Sequence, residues 1–274
     1  MSPDFSVIIP TFRRPRELLE AISSVRHQND VAVEIIVVDD SPEGSAREPV
    51  QGLYDRRVTY MKNPSPTGGF PSIVRNLGWP RARGKFIHFL DDDDIVPEGH
   101  YAEVKQAFTS HPEAGIIFGR IEPFGAADES QLAHERQYFK NASRKARASG
   151  RFGPRWAFVG RMLFDQVMFV CSACVLRREC VEQLGGFDSE IRLMEDADFH
   201  IRAMRRFGAF YLDRISLHYR IGSPSLMHSP NPPESQVRES AKSYLQIHSK
   251  YRRERGLLEY YALQSFTRTL LKIA

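Results

Sequence analysis

Four consecutive carboxylates, Asp91, Asp92, Asp93 and Asp94, follow directly on the apolar run Phe86-Ile87-His88-Phe89-Leu90. Adjacent like charges repel, so such a run belongs either in a solvated turn or beside a cation that offsets the repulsion. A second acidic pair, Asp39-Asp40, follows Ile36-Val37-Val38, and Arg13, Arg14 and Arg75 supply basic groups. Carboxylates hold a phosphate only through a metal between them, and a hard divalent cation bound by one or two Asp plus substrate phosphate oxygens is the usual way Mg2+ is employed. The chemistry on offer is polarisation of a phosphate leaving group. The plain alternative is a charged turn with no metal.

These groups need elements to position them. Phe5-Ser6-Val7-Ile8-Ile9 reads as a buried strand, and a helix opens at Pro15 with Leu18, Leu19, Ile22 and Val25 at helical spacing. Val33 to Val38 is a second strand. Strand, helix and strand within so short a stretch predict a right-handed crossover, so the two strands are expected parallel and adjacent. A third strand is expected near Val58 to Met61, a helix from Ile73 to Ala82 interrupted at Pro80, a strand from Lys85 to Leu90, a helix opening at Pro97 and a fifth strand from Ala114 to Gly119. The carboxyl edge of such a sheet, where α/β folds place ligands, then carries the loops Pro10 to Arg14, Asp39 to Gly44 and Asp91 to Asp94.

After this the alternation stops. Residues 136 to 161 hold eight Arg or Lys and no Asp or Glu, with Gly150, Gly153, Pro154 and Gly160 among them. That composition predicts a long mobile connection, either a solvated loop or a lid for an anionic substrate. A strand is expected at Cys171 to Leu176, a short helix up to Gly185-Gly186, a helix over Glu195 to Phe207 and a strand over Ala209 to Leu212. Beyond Pro230, Pro232 and Pro233, residues 234 to 273 read as two helices broken near Gly256, with Leu263, Phe266, Leu270 and Ile273 on an apolar face. Cys171-Ser172-Ala173-Cys174 has zinc-like spacing without a second ligand pair, so core packing is its expected role.

Composition bounds the function classes. A chain of 274 residues can bury a sizeable core without disulfides, and its three clustered cysteines suit a reducing compartment. The formal charge of +4 tolerates an anionic ligand but falls short of a nucleic-acid-binding signature. Met1 to Ser6 lacks the pattern of a signal peptide, and no run reaches the roughly 18 to 20 apolar residues that span a bilayer. A cytoplasmic protein is expected, with peripheral contact to the inner face of a membrane as a further option.

Six stretches in register carry a resemblance: Ser6 to Phe12, Ser24 to Gln28, Ile36 to Ser41, Arg75-Asn76-Leu77-Gly78, Ala82 to Ile87 and Phe89 to Asp94. Together they resemble family-2 glycosyltransferases of the GT-A fold over roughly the first 100 residues. Gly185-Gly186-Phe187-Asp188 and Glu195-Asp196-Ala197-Asp198-Phe199 with Arg202 resemble the same family's acceptor-side motif. The resemblance implies an α/β fold with a mostly parallel central sheet flanked by helices and a C-terminal helical tail. Residues 1–120 would bind the donor, 121–230 would hold the acceptor and the base, and 231–274 would be the tail.

The activity implied is an inverting transfer of a sugar from a nucleotide diphosphate sugar, a UDP-sugar by expectation, to the hydroxyl of a saccharide, lipid-linked or other acceptor. Mg2+ or Mn2+ would sit on Asp93, assisted by Asp91 or Asp92. Pro10, Thr11 and Phe12 would line the nucleotide, with Phe12 stacked on the base; Asp40 would hydrogen-bond the base, and Arg75 would sit by the diphosphate. Asp196 would be the general base, with Glu195 beside it raising its pKa by like-charge repulsion. A helix start is the structural alternative for Glu195-Asp196. Departures from the family's pattern are Arg13, where Asn is common, and Pro71 and Pro80 around Arg75. His218 or His228 would be optional helpers in a closing loop. A sugar-phosphate nucleotidyltransferase would need a glycine in the Pro10 to Arg14 loop, which has none, a phospho-receiver domain would need its acidic pair after the first strand, and a non-catalytic nucleotide-sugar-binding module is the remaining class. The basic segment and the tail would serve a membrane surface, a second subunit or the chain's own fold.

Overall fold

Strands β1 (Phe5–Thr11) and β2 (Val33–Asp39) are buried along almost their whole length and pair in parallel, with Phe5 opposite Val33 and Thr11 opposite Asp39. Helix α1 (Pro15–Arg26) crosses between them and buries Leu18, Ala21, Ile22 and Val25. Such continuous apolar strands are what a parallel sheet covered by helices requires. A computed structural model is the source of these coordinates; it describes residues 2–153, 155–165, 167–222 and 233–273, with the side chains of 270–273 excepted. His228, Pro230 and Pro232, and the side chains of Leu270 and Ile273, lie outside the described residues.

The further elements are α2 (Arg47–Gln51), β3 (Val58–Lys62), α3 (Pro71–Gly78), β4 (Phe86–Phe89), α4 (His100–Ser110), β5 (Ile116–Gly125), α5 (Glu129–Ser149), α6 (Trp156–Phe164), β6 (Cys174–Arg177), α7 (Arg178–Leu184), α8 (Glu195–Phe207), β7 (Ala209–Ile221), α9 (Glu234–Arg255) and α10 (Leu257–Ile273). Among the described residues the strands form one sheet in the order β3-β2-β1-β4-β6-β5-β7. Strand β6 runs antiparallel to both its neighbours, β4 and β5, and the other pairings are parallel. The sheet is therefore mostly parallel, as expected.

Several boundaries differ from the sequence reading, each for a local reason. The basic segment 136–161 is not a mobile connection. It is the end of α5, a 3-10 turn at Gly150–Phe152 and most of α6. Leu132, Phe139, Ala142 and Ala146 form a buried stripe at helical spacing, and Asp128 caps α5 by accepting the Gln131 N–H at 2.8 Å. The cations that masked this stripe find partners: Lys145 and Arg161 both reach Asp165, at 2.9 and 2.8 Å. The expected strand at Cys171 begins instead with a 3-10 turn, Cys171–Ala173, before β6. Strand β7 continues to Ile221, well past Leu212, through register shifts near Arg120. Helix α3 ends at Gly78 and passes into a 3-10 turn holding Pro80, and α4 starts after Gly99 rather than at Pro97. The three cysteines are free and buried, which for Cys171 and Cys174 is the packing role expected of them.

Candidate active site

The loops after β1, β2 and β4 meet at the carboxyl edge of the sheet, and the start of α8 faces them. Thr11 Oγ1 donates to Asp92 Oδ2 at 2.6 Å. Arg14 Nη1 donates to Asp93 Oδ2 at 2.6 Å and to Asp92 Oδ1 at 3.3 Å. Asp91 accepts from Arg75 Nη2 at 2.6 Å, while its backbone N–H donates to Ser172 Oγ. Asp94 is fully buried and turned the other way. It accepts the Arg220 backbone N–H at 3.1 Å, Arg220 Nε donates to the Asp93 carbonyl at 2.7 Å, and Ile95 bridges His218 beside it. Asp94 thus ties the run to β7.

Burial raises Asp92, Asp93 and Asp94. Asp92 is pushed up to about 7 by loss of solvent, with Asp93 adding to the effect. Asp93 is raised by burial against the pull of Arg14, and Asp94 is raised well above the carboxylate range, with one oxygen buried and without a partner among the described residues. Excess negative charge of this kind favours a cation. No three His, Cys, Asp or Glu side chains among the described residues converge as a metal cage. The donor set of Asp91, Asp92 and Asp93 accordingly fits a cation that brings phosphate oxygens and waters with it, as Mg2+ and Mn2+ on a diphosphate do, and does not fit an ion enclosed by protein.

The other half of the site is built by α3. Arg75 is 3% exposed and its two terminal nitrogens diverge, one to Asp91 and the other to Glu195 Oε1 at 2.7 Å. Its guanidinium lies 5.3 Å from the centre of the Phe187 ring. The neighbouring Asn76 pairs with the Phe187 backbone in both directions, donating to its carbonyl at 2.8 Å and accepting its N–H at 2.9 Å. Gly186, with φ +82°, admits that approach, since a Cβ there would stand 2.4 Å from Asn76 Oδ1. Gly78 does the same for α3 on the sheet, where a Cβ would meet Ile8 Cγ2 at 2.6 Å. The motifs Arg75-Asn76-Leu77-Gly78 and Gly185-Gly186-Phe187-Asp188 are two sides of one contact.

Glu195 and Asp196 open α8 after Met194, a non-glycine residue held at φ +61°. Arg13, at φ +58°, stands in the same uncommon conformation in the loop after β1. Backbone outliers of this kind concentrate where function over-determines the chain. Glu195 is buried and pushed up to about 7 by loss of solvent, against Arg75 and with Asp196. Asp196 remains half-buried between buried neighbours and accepts the Ala197 N–H at 2.8 Å. Its pKa is raised as anticipated, but through burial first, and Asp91 is the like charge that adds to it. Glu195 is committed to Arg75.

The nucleotide side has its own logic. Asp40 is 1% exposed and both its oxygens are engaged: Asn63 Nδ2 and the Thr67 N–H donate to one, Thr67 Oγ1 and the Gly69 N–H to the other, all within 2.9 Å. It fastens the loop after β3. Asp39 caps the next turn by accepting from the Ser41 and Ala46 N–H groups, both at 2.9 Å. Phe12 is half-buried beside Gly69, whose added Cβ would lie 3.8 Å from Phe12 Cγ, and Pro10 and Thr11 end β1 just before it. Arg13 turns outward to Glu43 at 2.8 Å. His218 points to Glu122, at 3.8 Å, and not into the aspartate run. Arg220, Ser172 and Asn76 were not singled out by sequence reasoning; Ser172 and Asn76 stood there only inside quoted stretches, and Arg220 in none.

Comparison with known proteins agrees with this geometry. The model for "Glycosyl transferase family 2" matches residues 6–185. The chain is 39% identical over 106 residues to GalNAc(5)-diNAcBac-PP-undecaprenol beta-1,3-glucosyltransferase of Campylobacter jejuni, a match covering 38% of this chain and 34% of that protein. It is 27% identical over 206 residues to YwdF, an uncharacterized glycosyltransferase of Bacillus subtilis, covering 74% and 68%. Matched stretches thus span about a third of the Campylobacter relative and 12% of GgaB of Bacillus subtilis. Among solved structures, TarS 1-349 of S. aureus superposes with a TM-score of 0.60 at 16% identity, over 92% of this chain and 74% of that one. The mannosyltransferase PcManGT of Pyrobaculum calidifontis gives 0.55 at 16% identity, over 98% and 76%. The fold is GT-A, and the chain belongs to glycosyl transferase family 2.

Proposed function

We propose that this chain transfers a sugar from a nucleotide diphosphate sugar to an acceptor hydroxyl with inversion at the anomeric carbon. Residues 1–120 hold the donor in this reading, 121–230 the acceptor and the base, and 231–274 form the tail. The observation that carries the reading is Arg75, which links Asp91 to Glu195 and so sets the aspartate run opposite the half-buried Asp196. A single displacement needs a leaving group on one face of the sugar and a base on the other, drawn from different parts of the chain.

Asp91 and Asp93, assisted by Asp92, would hold the divalent cation. When bound, that ion neutralises charge developing on the departing diphosphate. Phe12 would offer a face to the base over Gly69, and Asp40 fixes the loop around it. Asp196 takes the proton from the acceptor hydroxyl, and Glu195 keeps Arg75 in place. TarS has been solved with UDP-GlcNAc and PcManGT with GDP-Man and Mn2+, which supports a sugar nucleotide with a divalent ion, UDP first. The name of the Campylobacter relative supports a lipid-linked acceptor.

The deciding measurement is a thermal-shift screen of UDP-, GDP- and dTDP-sugars with and without Mn2+, because a ligand that binds the native state raises its melting temperature. One sugar nucleotide should stabilise in a Mn2+-dependent way. Asp196→Asn should keep that stabilisation and lose about 100-fold or more in transfer rate. Near-normal transfer by the variant would remove Asp196 from the mechanism.

A further inference from the structure

Three guanidinium groups surround the aspartate run, and they are not equivalent. Arg75 has a side chain 4% exposed, held by Asp91 and Glu195 beneath Phe187. Arg220 is 15% exposed, lies 4.6 Å from the Phe124 ring centre and is tied to Glu20 and to the Asp93 carbonyl. Arg14 is 30% exposed and puts one nitrogen between Asp92 and Asp93. It is the most exposed of the three.

The oxygens it touches differ as well. Asp92 is also tied to Thr11 and is almost wholly buried, so its carboxylate is fixed. Asp93 Oδ2, 2.6 Å from Arg14, is held by Arg14 and by no other side chain among the described residues, and Asp93 is the more exposed of the two carboxylates that Arg14 touches. Two cations on one oxygen would stand within a few ångströms of each other and repel. Arg14 itself sits at the cap of α1, before Pro15, and its carbonyl accepts the Leu18 N–H at 3.0 Å, so its backbone is anchored.

We propose that Arg14 is the chain's own counter-cation for Asp92 and Asp93, and that a divalent cation must displace it from Asp93 in order to bind. The inference rests on the reading of the aspartate run as the metal-holding half of the site. It makes metal binding a competition within the chain, in which the aspartates are never left without a positive partner. Once displaced, the guanidinium would be free to donate to phosphate oxygens of a bound donor.

The test is Mn2+ binding to the full chain without nucleotide, read from the electron paramagnetic resonance signal of free Mn2+. Arg14→Gln should bind Mn2+ about fivefold or more tighter than the unmodified chain, the worth of a partly exposed ion pair. Arg14→Lys, which keeps the charge but not the fork, should fall between them. Arg13→Gln removes a neighbouring charge that is paired with Glu43 and should leave the affinity unchanged. Circular dichroism melts establish that each variant is folded; if Arg14→Gln is not, Arg14→Lys alone decides, by binding tighter than the unmodified chain or not. Equal or weaker Mn2+ binding by folded Arg14 variants, equal tightening by Arg13→Gln, or no binding by any of them overturns the proposal. Mn2+-stimulated turnover of the unmodified chain with unchanged affinity in Arg14→Gln would sink this inference and spare the proposed function. Tighter binding in Arg14→Gln without any metal effect on turnover would do the reverse.

Discussion

Arg75 has two carboxylate partners that lie 16 and 120 residues away, and it is buried with Glu195 while Asp91 is partly exposed. Removing one member of such a set strands the others, so Arg75→Met should destabilise the fold by about 3 kcal/mol in urea titrations. The pH dependence of transfer follows from the same cluster. A base acts when deprotonated, so the rate should rise with pH, and the limb should lie above the ordinary carboxylate range because Asp196 is raised and Glu195 sits at about 7. The two titrate as a pair, so the profile reports the pair's apparent values. Stability has its own signs. His100 is buried, lacks partners for both ring nitrogens among the described residues and is lowered to about 3 by burial. Its unfolded form takes up a proton near pH 6.5, so its contribution to stability is lost as pH falls from there toward 3. Asp92 and Glu195, raised to about 7, act in the opposite sense: they favour the fold at low pH and cease to do so as pH rises to 7. His100→Leu should therefore flatten the acid-side loss in denaturation curves taken between pH 6.5 and 4, and an unchanged slope would contradict this assignment. At this scale the sequence revealed the charged residues themselves but not their partners. Asp91 and Glu195 are visible as motif members, whereas a shared arginine between them is a property of the closed fold.

Helices decide how those residues meet. The crossover from β1 to β2 was legible because a continuous apolar run gives way to apolar residues at helical spacing after Pro15. Helix α5 was hidden because its cations, counted by composition, outweighed four buried apolar positions that only a periodic reading separates. Asp128→Ala should lower the stability of that helix by about 1 kcal/mol, seen as faster amide exchange over its first turns. Helix α6 carries a different constraint. A Cβ on Gly160 would come within 2.1 Å of Thr267 Oγ1 and 3.3 Å of Leu263 Cδ1, so α10 packs against bare backbone there. Gly160→Ala should push α10 away and make its linker at Gly256 a faster site of limited proteolysis. Where two elements touch through a glycine, sequence supplies the glycine and withholds the neighbour.

Across the molecule, the tail is fastened to the half of the fold that bears the proposed base. Lys250 of α9 reaches Asp188 at 2.5 Å and Asp198 at 3.1 Å, Glu259 of α10 pairs with Arg205, and Ile247, Tyr251, Tyr260 and Leu263 are buried. The break at Gly256 was legible; the ion pairs onto α8 were not. The opposite face leaves Leu245, Leu257, Leu258 and Tyr261 exposed, and no described helix is long and apolar enough to cross a membrane. Lys250→Met should speed amide exchange in α9 and in the loop around Asp188 together; exchange confined to α9 would show that the tail is merely attached. One further consequence lies in the strand order. Strand β6 stands between β4 and β5 in space but leaves the ribosome some 85 residues after β4. At about 5 to 20 residues per second the nascent chain spends roughly 4 to 17 seconds with the bonding edge of β4 open. Any partner able to lend a strand during that interval competes with β6, so the yield of folded enzyme in the cell depends on what meets that edge first.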